Sequence, residues 1–558
     1  DQLMADRALH ADGFFMQSHR KGYKAERLTP INIANTGPSH AALFSGATPA
    51  VSGYVGQSFA TPTDALPKGA DVFTYVSEAE TIVSAARRQG KRTACLAAPG
   101  FDSRAPNYSC DYILNFVQGR QESMVISFAP VAGEDQTRTA PDFPDARANI
   151  LAPKTAKDPL PAPLAEKGIE FLVADAHPND AKRYDALSIR YPDGKTEIVE
   201  PGRIYPFNWI EDGLRGTTAL WVNRFDPDSG NVELYWGQPY FTVANGPMHE
   251  AVIDKLGPWP GTLDARGLHA GRISEEGFDA LNEYQAKYHI DALGLLLQHK
   301  DWDLFLGYLP YLDTVQHKYL VTSPRQLDHV DKGARYAAKI KDAYTKLDGW
   351  MGALIKTRGA AGTNFLVASD HGMVPTHTLV TISSLIESWG YSVHGDRPEV
   401  GVYTSGASAH VYINGDNRPG GFIDEKRKSA IVADLQGRFR ALQSPANETV
   451  LAVVRTRAEL SPLELEHPEN AGDLFISAAA GFSLDPRQSP SRRFYFPISF
   501  DRKLLAAAGL DPREVDFMAG GFMNQASPGL HGHVAATQDI AAILYAFGPD
   551  IGRRQGST

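Results

Sequence analysis

The stretch NFLVASDHGM, residues 364–373, sets a short apolar run against a charged pair, Asp370–His371, with Gly372 directly behind it. The run NFLVAS (364–369) reads as a buried strand, and its polar end is hard to explain as ordinary surface. In open α/β sheets ligands bind outside the carboxyl ends of the strands, so a metal-type pair at such an end marks a site that other strand ends can share. Working outward, RTACLAA (92–98), DLFLGYL (303–309) and DIAAILYAFG (539–548) read as further strands. Helical spacing over 77–89, 279–299 and about 327–357 separates them. The rhythm predicts an α/β fold with a mostly parallel central sheet flanked by helices on both faces.

Two stretches break that rhythm. Residues 108–275 are rich in Pro, Gly, Asp, Tyr and Trp, and alternate in TALWVNRF and VELYWGQPYFTV; residues 396–525 mix the strands HVYING, TVLAVVRT and DLFISAAAGF with loops. We expect residues 1–107, 276–395 and 526–558 to form the catalytic α/β core, 108–275 a β-rich insert and 396–525 a cap or second insert. At 558 residues the chain is too long for one core. No apolar run approaches the roughly 18–20 residues that span a bilayer. The net charge of −10 argues against non-specific nucleic-acid binding but leaves an anionic substrate open, because a buried cation can outweigh the surface field. The two cysteines, Cys95 and Cys110, are close enough in sequence to close a short loop in an oxidising compartment, or to stay thiols in a reducing one. The numbering opens at Asp1 without a methionine, and we expect a removed signal peptide upstream and a periplasmic or secreted location.

A second stretch, NIANTGPSHAALFSG (32–46), places Thr36 before a small-residue helix over 38–45. Backbone N–H groups at a helix start attract anions; Thr36 is either an N-cap or a group facing such a ligand. Metal-type residues recur at other strand ends: Asp1 in DQLM, Asp313 and His317 at i, i+4 in DTVQH, and His531 with His533 in GLHGH. Three Asp, three His and one Thr suffice for two sites. Zinc takes about four N and O ligands, and paired metals clamp the attacking and leaving oxygens of a displacement at phosphorus. Thr36 is then the nucleophile.

These motifs resemble the alkaline phosphatase superfamily, nearest to its nucleotide pyrophosphatase/phosphodiesterase branch and its threonine-nucleophile phosphatases. The resemblance rests on Asp1, Thr36 in NTGPSHAALFSGATP, Asp313 and His317 in DTVQH, Asp370 and His371 in SDHGM, and His531 in LHGH before an apolar strand ending in FGP. It covers about half the chain. It implies two divalent ions, expected to be Zn2+: one held by Asp313, His317 and His531, the other by Asp1, Asp370, His371 and Thr36. It also implies a covalent phospho-threonine intermediate. His533 keeps no ligand role. Two departures stand out. The phosphate-binding Asn that the family places after the nucleophile helix is Gln57 here, in GYVGQSF, and the strand that should present Asp1 is expected upstream.

The loop APGFDSRAP lacks the Lys that the family's monoesterases carry beside an Arg; it holds only Arg104. That favours a phosphodiesterase acting on a small-molecule phosphate ester, with an alkaline phosphomonoesterase as the alternative. A non-catalytic binding protein is disfavoured, because unused buried carboxylates are costly. A sulfatase would need a Cys in a C-x-P-x-R context, and a phosphomutase of this family a Ser nucleophile. The natural substrate and the oligomeric state are not legible in the sequence.

Overall fold

In the computed structural model the apolar runs become four-residue strands: Thr93–Leu96, Leu304–Gly307, Phe365–Ala368 and Leu544–Phe547. The structure describes residues 9, 12–73, 75–101, 110–131, 147–154, 160–161, 163–164, 168–175, 184–246, 248–299, 301–357, 361–519, 526–552 and 554–556. Asp1 and Arg104 lie outside them. The chain divides into two compact units: Asp1–Leu114 with Asn245–Val252 and Ile290–Thr558, and Asn115–Ala244 with Ile253–His289. Residues 396–525 therefore fall in the first unit, whereas 108–275 divide between the two.

In the first unit, Thr93–Leu96 is buried at every position, as a strand covered on both faces should be. It runs parallel to Leu304–Gly307, with Cys95 opposite Leu306, and parallel to the start of Tyr112–Gln118, with Cys95 opposite Ile113. A disulfide joins Cys95 to Cys110, 15 residues on. Phe365–Ala368 instead lies antiparallel to Leu544–Phe547, which lies antiparallel to Tyr23–Ala25. The fold is thus mixed α/β, and its parallel character is partial rather than dominant. A crossover helix imposes parallel direction only on the strands it links, and Leu544–Phe547 is entered through a loop. His329–Ile355 is the long helix between Leu304–Gly307 and Phe365–Ala368. The helix expected over 77–89 begins later, at Ile82, because the Thr81 hydroxyl caps it by accepting from Ser84 N at 3.2 Å.

The first unit also holds an antiparallel sheet ordered Val400–Ser405, Ser408–Ile413, Leu474–Ala478, Leu451–Thr456, whose core includes Val411, Ile413, Leu474 and Ile476. The second unit is dominated by antiparallel strands. Leu214–Phe225 pairs with Tyr205–Glu211 and Val232–Trp236, and Phe128, Phe171, Phe207, Leu220 and Trp236 fill its core. Among the described residues no helix is long and apolar enough to cross a membrane.

Candidate metal and phosphoryl site

Thr36 is the first residue of the helix Thr36–Ser45, which starts two residues earlier than its sequence suggests. Asn35 holds the N-cap position with extended backbone and no side-chain cap, so Thr36 is not the cap. Its place is set by the preceding segment. Ile33 is a β-branched residue at φ 57°, an unfavourable conformation retained in a fully buried setting. Ala34 N donates to His533 O at 3.1 Å and Gly532 N to Ala34 O at 2.7 Å, which ties the approach to Thr36 to the His531 segment. Gly37 has no room for a side chain: a Cβ there would lie 2.4 Å from Val72 Cγ1. The Gly37 N–H donates to Gln57 Oε1 at 3.1 Å. Gln57 thus sits at the helix start beside Thr36, but its carbonyl faces a backbone donor.

Asp313 lies in the first turn of the helix Tyr311–Tyr319, and His317 one turn on. His317 is fully buried, and its Nδ1–H donates to Gly529 O at 2.8 Å, which turns Nε2 towards Asp313 and His531. That Nε2 lies 3.4 Å from Asp313 Oδ2 and 3.1 Å from His531 Nε2. His531 Nε2 is also 3.7 Å from Asp313 Oδ1. Asp370 follows the strand Phe365–Ala368, and its Oδ2 lies 3.2 Å from His371 Nε2 and 3.3 Å from His40 Nδ1. The turn is tight: a Cβ at Gly372 would lie 2.4 Å from Asp539 O. The His371 and His531 rings stack with centroids 3.7 Å apart. One donor atom each from Asp313, His371 and His531 falls within 4.8 Å of the others. This compact triad draws on both of the ligand groups that the family resemblance implies.

Asp313 Oδ1, Asp370 Oδ2 and His371 Nε2 are buried without a hydrogen-bond partner. Buried polar groups are rarely left so, because each costs on the order of 1–3 kcal/mol. Carboxylate oxygens and imidazole nitrogens orphaned together are the donor set of a divalent cation. Burial opposes ionisation of Asp370, yet His371 and His40 hold its carboxyl well below the usual range. Burial pushes His371 down, but Asp370 overrides it and raises the imidazole to about 9. His531 is driven well below its ordinary value by burial and then by the charges of His371 and His317.

Two neighbours escaped the sequence reading. Tyr308, just past the strand Leu304–Gly307, has its phenol pushed far up by burial and then by the charges of Asp313 and Asp370, with the Thr36 hydroxyl opposing the shift. His40 places Nδ1 2.8 Å from Thr36 O and packs edge-on against Tyr308, with ring centroids 5.1 Å apart. The signal for His40 was its i+4 spacing from Thr36. His533 is fully buried, burial lowers it to about 4, and neither ring nitrogen has a partner.

Solved structures with similar folds include murine ectonucleotide pyrophosphatase/phosphodiesterase 5, at 12% identity over 97% of this chain and 85% of that one, with a TM-score of 0.46. Phosphonoacetate hydrolase from Sinorhizobium meliloti 1021 in complex with phosphonoformate shares 16% identity over 98% and 86%, with a TM-score of 0.41. Wild-type alkaline phosphatase PafA shares 10% identity over 99% and 89%, with a TM-score of 0.46. No curated protein matches the chain. The family model for type I phosphodiesterase / nucleotide pyrophosphatase matches residues 7–193 and 203–495, most of the chain. The protein therefore belongs to the type I phosphodiesterase / nucleotide pyrophosphatase family of the alkaline phosphatase superfamily, a metal-dependent family, and is a phosphoric ester hydrolase.

Proposed function

We propose that the protein is a phosphodiesterase that works through a covalent phospho-threonine on Thr36 with two divalent ions, Zn2+ in the first instance. The observation that carries the reading is the group of orphaned buried donors on Asp313, Asp370 and His371, gathered with His531. Asp313, His317 and His531 would hold one ion; Asp370, His371, Thr36 and Asp1 the other. When bound, the ions supply positive charge to the phosphoryl oxygens and lower the pKa of the attacking hydroxyl and water. The chain's own groups do the rest. Thr36 Oγ1 forms a bond to phosphorus as the bond to the ester oxygen breaks; that oxygen leaves with a proton, and water then displaces Thr36. His40 holds the first turn of the Thr36 helix by its bond to Thr36 O.

The diester preference is supported by the loop APGFDSRAP, which lacks the Lys that the family's monoesterases carry beside an Arg. Within this reading residues 108–275 and 396–525 are insertions on a core of 1–107, 276–395 and 526–558. The substrate is a small-molecule phosphate ester, and the Cys95–Cys110 disulfide favours the periplasm or the cell exterior.

The test is hydrolysis of bis-p-nitrophenyl phosphate beside p-nitrophenyl phosphate, with and without chelator. Higher kcat/KM on the diester and loss with chelator are expected. Higher efficiency on the monoester makes the protein a phosphomonoesterase, and chelator-resistant turnover removes the metals.

A further inference from the structure

Gln326 lies outside the ligand set, yet it is 4% exposed and uses its whole side-chain amide. Its Nε2 donates to Leu320 O at 2.9 Å, Thr376 O at 3.1 Å and Pro528 O at 2.8 Å. Its Oε1 accepts from Thr322 N and Ser323 N, both at 2.9 Å. Two N–H groups serve three carbonyls, so one is shared. The opposite amide orientation would turn an oxygen towards three oxygens, so the assignment is unambiguous.

The three carbonyls have a common property. Leu320 ends the helix that carries Asp313 and His317. Thr376 lies five residues after His371, and Pro528 three before His531. Thr376 N also donates to Pro528 O at 2.7 Å, and Val374 pairs with Leu530. Gly529, next to Pro528, supplies the carbonyl that orients His317. One rigid amide thus joins the three segments that supply the site's Asp and His donors among the described residues.

We infer that Gln326 is a positioning residue for the metal site: it sets the relative placement of Asp313, His317, His371 and His531 by holding the backbones of their three segments. This rests on the metal reading above. Outer groups that orient ligands commonly contribute about ten- to a hundredfold in metal affinity. Gln326→Met keeps the volume and removes every polar contact.

The experiment strips the protein with chelator and titrates Zn2+ against a competing chromophoric chelator, with thermal unfolding of each apo-protein alongside. The expected result is zinc affinity about 10- to 100-fold weaker in Gln326→Met. Gln326→Glu, which can still accept from Thr322 and Ser323 but sets a carboxylate against three carbonyls, should weaken binding comparably. Asn414→Ala, which removes a buried side-chain bond to Pro398 O, is the control: it should lower the apo melting temperature and leave zinc affinity unchanged. Zinc affinity within twofold of wild type in either folded Gln326 variant overturns the inference. Should neither variant fold, amide exchange on the wild type decides. Zinc loading should slow exchange at Thr322 and Ser323, and unchanged rates there overturn the proposal. Wild type that binds no zinc would instead bring down the metal reading itself.

Discussion

Three acids, one in the second unit and two in the first, contrast a carboxylate satisfied by its neighbours with carboxylates that are not. In the second unit Asp264 is fully engaged: Oδ1 accepts from Gly267 N at 2.7 Å, and Oδ2 accepts from the Ser123 hydroxyl and from Tyr235 OH at 3.1 Å. Its environment is closed, and its bonds cap the helix Ala265–His269 and hold Tyr235. In the first unit Asp313 and Asp370 each keep a buried oxygen with no hydrogen-bond partner, with His531 Nε2 3.7 Å from Asp313 Oδ1 and His371 Nε2 3.2 Å from Asp370 Oδ2. The residue type is the same; the difference lies in what the neighbours offer. Ser, Tyr and backbone N–H groups satisfy an acid, whereas a second acid and several histidines leave room for a cation.

That contrast is most exposed to failure at Thr36. Thr36→Ala removes the proposed attacking oxygen and should lower kcat on bis-p-nitrophenyl phosphate by at least about 10⁴-fold, as loss of a nucleophile does elsewhere. Metal content, read by elemental analysis, should stay close to wild type. Turnover near wild type would take the hydroxyl out of the chemistry and leave the open acids without a partner in it.

Asp370→Asn comes next. It replaces an acid already held ionised by a neutral amide, and zinc affinity should fall by at least about a hundredfold. Full metal occupancy in this variant would mean that the orphaned oxygen is not a ligand.

Asp264→Ala sharpens the same comparison from the closed side. It strips two hydroxyls and a backbone N–H of their acceptor, and should cost about 2–3 kcal/mol of stability in denaturant unfolding with zinc content unaltered. A loss of metal in Asp264→Ala, with the fold intact, would erase the distinction between the two kinds of acid.

How much of this was legible beforehand follows from where each signal resides. The strand at Phe365–Ala368 and the pair behind it were readable because the apolar run and the Asp–His pair are adjacent in sequence. The direction of Leu544–Phe547 was not, since hydrophobic pattern carries no strand polarity and no crossover helix leads into it. The start of the Thr36 helix was misplaced because Pro38 suits a first helical position, although Asn35 is a preferred N-cap type whose side chain here makes no cap bond. His40 was within reach at i+4. Tyr308 was not, because an aromatic five residues before Asp313 reads as core. Gln326 was out of reach altogether: two of its three acceptors are backbone carbonyls 50 and 202 residues away, and a carbonyl has no residue identity.

The smallest expected effect belongs to Gln57→Asn, and it tests whether the start of the Thr36 helix is a phosphate site in waiting or a capped end. Gln57 is fixed from two sides, its N–H donating to Ser405 Oγ at 2.8 Å and its side-chain carbonyl accepting from Gly37. Asparagine is one methylene shorter and would draw that carbonyl back. Two consequences oppose each other. The Gly37 N–H is released to face an incoming phosphoryl oxygen, which favours turnover, while the helix start loses the acceptor of that N–H, which costs about 1 kcal/mol of stability. The change in kcat/KM on bis-p-nitrophenyl phosphate should therefore stay within about tenfold, accompanied by a lower melting temperature. A fall of a hundredfold or more would match the loss of a phosphate-oxygen donor and make the Gln57 amide that donor. A rise beyond tenfold would mean that the glutamine carbonyl had been competing with substrate for the Gly37 N–H.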